Sequence, residues 1–200
     1  MLLEKLLKYP KIYRFSQSIL TSKSNDIYVI LSNYLKKNYP NHLIIDLGCG
    51  DAAFASYFDK KTKYVGIDIS DKYIESARKK FPYFKFYNHD ITKINNLSFT
   101  NCVFLLIGVI HHIDDENSKN LISQLKSIEG SLIISIDPVK IEKQHPIARL
   151  LIKLDRGKFI RTKSQYEKIF TDFKFFMRDD LLRLPYNRII SVFNTKVDLF

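Results

Sequence analysis

The chain has 200 residues, 46% apolar and 26% charged, with a formal net charge of +11. That length suits one domain with one core that buries around 70% of the unfolded surface. The longest strongly apolar run, Val103 to Ile110, falls well short of the roughly 20 residues that cross a bilayer, the charged start MLLEKLLKYP does not read as a signal peptide, and two cysteines offer no framework of bridges, so a cytoplasmic, reduced setting is expected.

The charge is unevenly placed. Residues 1–40 carry seven basic and two acidic side chains, residues 41–137 eleven and twelve, and residues 138–200 fourteen and seven. The middle is nearly neutral and the flanks are basic, which admits an anionic substrate, nucleic acid or peripheral contact with an anionic membrane, or simply a solvated basic surface.

In chain order, residues 2–20 read as an amphipathic helical region interrupted near Pro10. Ser24, Asn25 and Asp26 offer caps for a helix to about Tyr39, in which Ile27, Ile30, Leu31, Tyr34 and Leu35 recur at helical spacing, and Pro40 ends it. Leu43 to Ala55, LIIDLGCGDAAFA, then reads as a buried strand, a Gly-rich turn and a helix over 51–59. Gly48, Gly50 and Ala53 fit the loose G-x-G-x-x-A dinucleotide pattern. Asp46 argues against it, because a carboxylate two residues ahead of the first glycine repels a pyrophosphate and favours a cationic ligand.

With the order Asp46, Gly48, Gly50, the chain resembles the class I S-adenosylmethionine-dependent methyltransferases, whose first motif is an acidic residue followed by G-x-G-x-G. Here Ala52 replaces the third glycine. The fold so implied is a Rossmann-like doubly wound α/β sheet of seven strands, mostly parallel, closed by an antiparallel C-terminal hairpin. In that fold the N-terminal helices often lie over the substrate, which makes Tyr13 and Phe15 either lid residues or core, with Tyr13 taken as a substrate contact.

Lys63 to Ile69, KYVGIDI, is a second buried strand, and Asp68 at its end is placed to accept both hydroxyls of a ribose. A helix over 71–81 ends at Pro82, and a third strand runs from about Tyr83 to Tyr87. The resemblance implies an adenine contact for Asp90 and packing on the adenine face for Ile91, although Asp90 can equally cap the turn at Thr92. The implied cofactor, S-adenosyl-L-methionine, would thus meet Asp46, Gly48, Cys49, Gly50, Asp68, Ile69, Asp90 and Ile91.

A fourth strand, Asn101 to Ile107, opens onto VIHHIDDE, similar to the L-H-H-x-x-D of the small-molecule, ubiquinone-biosynthesis-like branch. It does not resemble the N-P-P-Y of enzymes that methylate amide or base nitrogens. Paired histidines at this edge sit where substrate chemistry occurs in open α/β sheets. His111 is the first candidate base and His112 the second. His111, His112 and Asp114 do not have a metal-ligand spacing, and no metal is expected.

After a helix over 115–128 and a fifth strand, Gly130 to Asp137, the chain leaves the pattern. Ile147–Leu154 and Lys163–Phe170 read as helices joined by an extended link. Its D-R-G-x-x-x-R-T core resembles an insertion of bacterial methyltransferases associated with sugar, lipid or polysaccharide pathways. Arg156 and Arg161 suit bidentate recognition of an anion, or an ion pair with Asp155. Phe173–Met177 and Ile189–Lys196, separated by 179–186, complete the sheet.

The expected organisation is one domain over 1–200: a helical cap (1–40), a cofactor-binding core (41–137), an insertion over the substrate site (138–171) and a closing hairpin (172–200). The expected function is methyl transfer to an oxygen or nitrogen of a small, conceivably anionic metabolite by a monomer or homodimer. Two alternatives stand beside it, a non-catalytic binding protein of the same fold and an RNA methyltransferase. Against RNA, the basic residues lack an aromatic-interleaved stacking pattern.

Overall fold

The structure, a computed structural model, describes residues 25–94, 100–178 and 187–194. The predicted helical region over 2–20, with Tyr13 and Phe15, and the connection over 179–186 lie outside the described residues.

Helix α1 (Asn25–Asn38) leads into β1 (Leu43–Leu47) and β2 (Tyr64–Asp68). Then come α2 (Asp71–Lys80), β3 (Lys85–Asn88), β4 (Cys102–Ile107), α3 (Asp115–Lys126) and β5 (Leu132–Lys140). The C-terminal part holds α4 (Pro146–Leu154), β6 (Arg161–Thr162), α5 (Lys163–Glu167), β7 (Lys174–Arg178) and β8 (Arg188–Phe193). The sheet order is β3-β2-β1-β4-β5-β8-β7. The first five strands are parallel, and β8 inserts antiparallel between β5 and β7. The seven expected strands and the closing hairpin are all present.

Successive residues of a strand face opposite sides of the sheet, so each apolar run feeds two layers. Ile44, Leu105 and Ile134 join one core with Ile27, Leu31 and Leu35 of α1. Ile45, Phe104 and Ile133 join the other with Leu121, Ile122 and Leu125 of α3. Both faces are covered, which is why β1, β4 and β5 read as nearly continuous apolar runs.

Two elements differ from expectation. The helix predicted over 51–59 is a single 3-10 turn, Ala53–Tyr57, entered through Ala52 in the left-handed region at φ 58°. The extended link before Lys163 contains β6, which pairs in parallel with the end of β5 through Val139 and Lys140. A two-residue strand has no periodicity to read.

Candidate active site

The loops that leave the carboxyl ends of β1, β2, β3 and β4 surround one cleft of about 900 Å³. Its floor is the glycine turn. Gly48 has φ +75°, and a Cβ there would stand 2.6 Å from a Val109 methyl. Gly50 has φ +55°, and the space where its Cβ would project is open. Close approach of a ligand to this backbone therefore depends on both glycines.

Asp68 ties the floor together. One carboxylate oxygen accepts from the Gly50 amide at 2.8 Å and the other from the Ser70 amide at 2.8 Å. Ser70 itself caps α2 by accepting from the Tyr73 amide. Ile69 beside it is 70% exposed into the cleft. Across the cleft, Asp90 and Ile91 leave β3. The Thr92 hydroxyl and amide donate to Asp90 at 2.7 and 3.0 Å, which holds its carboxyl below the usual range. Asp90 therefore caps the turn at Thr92 and also lines the cleft. Tyr28 and Tyr57 complete this wall, and Lys80 is neutralised by Asp51 at 2.6 Å.

Asp46 is not in the cleft lining. It lies beneath the glycine turn, 3% exposed, where its carboxylate accepts from the Tyr64 hydroxyl at 2.5 Å. Burial lifts its pKa to about 7, against the bond from Tyr64 and with help from the Asp68 charge. Asp46, expected to meet the cofactor, thus lies outside the cleft lining, with its carboxylate held by Tyr64. Cys49 lines the cleft, and burial pushes its thiol pKa up, so it is a neutral thiol at physiological pH.

The two histidines part company. His111 is buried, and its Nδ1 lies 2.8 Å from Asp137 and its Nε2 3.3 Å from Asp155. Burial alone would lower its pKa, but the bonds and charges of the two carboxylates outweigh burial and lift it to about 9. A ring that is already an imidazolium with both nitrogens engaged cannot accept a proton at neutral pH, so His111 is corrected from candidate base to a positioning residue. His112 instead lines the cleft. Burial of much of its ring and the neighbouring His111 cation push its pKa down, to about 4. Its open edge to solvent softens that shift without changing its sign, and His112 is a neutral imidazole at pH 7.

Arg161 is also corrected. It is 3% exposed, and its guanidinium is saturated by Asp115, the carbonyls of Ile110 and Phe159, and the carbonyl of Ile113. A guanidinium that donates four hydrogen bonds and pairs with Asp115 fastens the insertion to the loop after β4, outside the cleft lining. Arg156 does line the cleft. Around it the D-R-G turn is locked: Asp155 accepts from the Gly157 amide at 2.7 Å, and the His111 carbonyl accepts from the Phe159 amide at 2.9 Å. A Cβ on Gly157 would fall 1.9 Å from the His111 ring.

Sequence reasoning missed the roles of Asp137, Asp155 and Gly157 at the site. Asp137 had a signal, an acid ending the apolar run of β5 that accepts from Ser135 within the same strand at 2.5 Å. The other two depend on the insertion folding back onto β4, which no local pattern encodes.

Residues 44–128 match the family of methyltransferase domains. No curated protein matches the chain. Among solved structures, magnesium protoporphyrin IX methyltransferase from Synechocystis, with bound SAH, is similar at 19% identity and a TM-score of 0.64, over 85% of this chain and 83% of that one. The plantazolicin methyltransferase, in complex with a desmethylPZN analog and SAH, is similar at 16% identity and a TM-score of 0.67, over 96% and 93%. Human N-acetylserotonin methyltransferase, in complex with SAM, is similar at 19% and 0.65, over 94% of this chain and 56% of its own. The chain thus carries a methyltransferase-domain match over residues 44–128 and shares the fold of these solved methyltransferases.

Proposed function

We propose that the chain binds S-adenosyl-L-methionine and catalyses methyl transfer to an oxygen or nitrogen of a small anionic metabolite, all 200 residues acting as one domain. The observation that carries the cofactor reading is the charge of the cleft. Asp51, Asp68, Asp90 and Asp114 line it against Lys80 and Arg156. Two cations less four carboxylates leave −2 on the wall of a protein of net charge +11. A pyrophosphate-bearing cofactor would be repelled there, whereas an ammonium and a sulfonium are favoured. The open space over Gly50 and the carboxylate of Asp68 beside it fit such a cofactor.

When bound, the cofactor supplies an electrophilic methyl group on sulfur. The chain's own residues bind, orient and move one proton. Asp68 accepts from the ribose hydroxyls with lone pairs that Gly50 and Ser70 leave over, and Ile69 and Ile91 enclose the adenine. Asp90 receives its amino group, and the backbone from Gly48 to Gly50 holds the amino-acid end. Asp46 contributes field from beneath. Orientation of this kind can supply up to roughly 7 to 11 kcal/mol of the barrier. At the other end His112, neutral and at the cleft wall, takes the proton from the acceptor. His111 and Asp155 hold the loop that carries it, and Arg156 engages the acceptor's anionic group. The resemblance of VIHHIDDE to the ubiquinone-biosynthesis-like branch agrees with a small acceptor.

Carboxylated and phosphorylated acceptors, compared with uncharged analogues for release of S-adenosylhomocysteine, test the acceptor class. A preference for the anions that Arg156→Ala reduces about tenfold or more supports the reading. Equal turnover of the neutral analogues contradicts it.

A further inference from the structure

No helix among the described residues is long and apolar enough to cross a membrane, yet α4 has an apolar face that the described residues leave exposed. In α4, PIARLLIKL, Ala148 is buried, while Ile147, Leu150 and Leu154 are 40%, 56% and 50% exposed. With the half-buried Leu151 they form an i, i+3, i+4, i+7 stripe, the face a helix ordinarily buries. Phe159, just past the turn, is 36% exposed and extends the patch.

The rim of this patch is basic. Over residues 140–158 there are six Lys or Arg side chains and two acids. One of those acids, Asp155, is already engaged with His111 and the Gly157 amide. Lys140, Lys143, Arg149, Lys153 and Lys158, on α4 or flanking it in the chain, are exposed. A globular helix that faced another protein's acidic surface would need few bare leucines. One that lay in a lipid interface needs both, the leucines below the headgroups and the lysines among the phosphates.

We propose that α4 and the Phe159 turn form a docking surface for a bilayer with anionic headgroups, on which the protein sits peripherally. The chain passes from the end of α4 directly into Asp155, Arg156 and Gly157, of which Asp155 and Gly157 pack on His111 and Arg156 lines the cleft. Docking therefore sets the lipid surface beside the segment that carries Arg156, and its bearing on the acceptor rests on the methyltransferase reading, whereas the docking itself does not.

Co-sedimentation of the full chain with vesicles of equimolar phosphatidylcholine and phosphatidylglycerol, against phosphatidylcholine alone, tests it. The expected result is binding at least about tenfold stronger to the anionic vesicles, weakened by salt, and reduced about tenfold or more in Leu150→Glu/Leu154→Glu. Lys119→Glu on exposed α3 should bind like the wild type. Absence of binding by the wild type overturns the proposal, as does equal binding by the Glu variant or a wild-type dimer that the Glu variant dissociates in solution. Calorimetric titration of both proteins with S-adenosylhomocysteine is read separately, so that loss of lipid binding with cofactor binding intact is distinguishable from failure of the cofactor assignment.

Discussion

His111 Nε2 lies 3.3 Å from Asp155, while its Nδ1 lies 2.8 Å from Asp137, so one buried ring joins the β4 loop, the end of β5 and the insertion. Two carboxylates against one imidazole make the proton on that ring part of the fold. The proposed base is the neighbour, His112, whose ring centroid is 4.1 Å away.

If His112 is the base, His112→Ala lowers the methyl-transfer rate by about 100-fold while cofactor affinity stays nearly constant. Because its pKa is held below 6.5, at about 4, the acid limb of the rate profile lies below the ordinary histidine range and the rate is flat from about pH 6.5 upward. Single-turnover rates across pH check both. A limb centred at the ordinary histidine value would return the proton to a solvated, unperturbed imidazole.

The His111 latch makes stability depend on pH in a definite direction. Its folded pKa is about 9 against 6.5 unfolded, so the native state binds more protons between these values. The contribution is complete below the unfolded pKa and is lost as pH rises through 9. Denaturant unfolding should show a loss of about 3 kcal/mol between about pH 6.5 and about pH 9.5, much smaller in His111→Gln.

Gly157→Ala and Arg161→Lys test the attachment of the insertion by packing and by hydrogen bonding. The added Cβ of the first has no room against His111, and about 1 to 3 kcal/mol of stability should go. A lysine cannot reproduce the five-donor fork of Arg161, and a loss of about 3 kcal/mol or more is expected, with the charge alone giving no rescue. Unfolding curves measure each, and methyl transfer should fall further than cofactor affinity.

Asp46 separates stability from function. Its pKa is raised from 3.8 to about 7 by burial, so the protein loses stability as pH rises through that window. Asp46→Asn keeps an acceptor for the Tyr64 hydroxyl and removes the buried charge. At about pH 8 it should be more stable than the wild type by about 2 kcal/mol. It should also bind the cationic cofactor about three- to tenfold more weakly. Parallel melting and calorimetry at that pH read the two effects.

Much of this architecture was legible because buried parallel strands announce themselves. Leu43–Leu47 and Cys102–Ile107 are apolar on both faces, and the acids and glycines that line the cleft stand where those runs stop. Spacing could not tell His111 from His112, since adjacent residues share every local pattern. The fold separates them by setting Asp137 and Asp155 in close contact with the two nitrogens of the His111 ring. Arg161 misled for the same reason. An arginine built to hold a phosphate and one built to hold three carbonyls and Asp115 look alike until the chain has folded.

The acidic cleft over the glycine turn is proposed to hold S-adenosyl-L-methionine through Asp68. Calorimetric titration with S-adenosylmethionine, S-adenosylhomocysteine and NADH, in the wild type and in Asp68→Ala, tests it most directly. The account predicts micromolar binding of the first two, no binding of NADH, and at least about a hundredfold loss in the variant. Tight binding of NADH, or S-adenosylmethionine binding indifferent to Asp68, would contradict it.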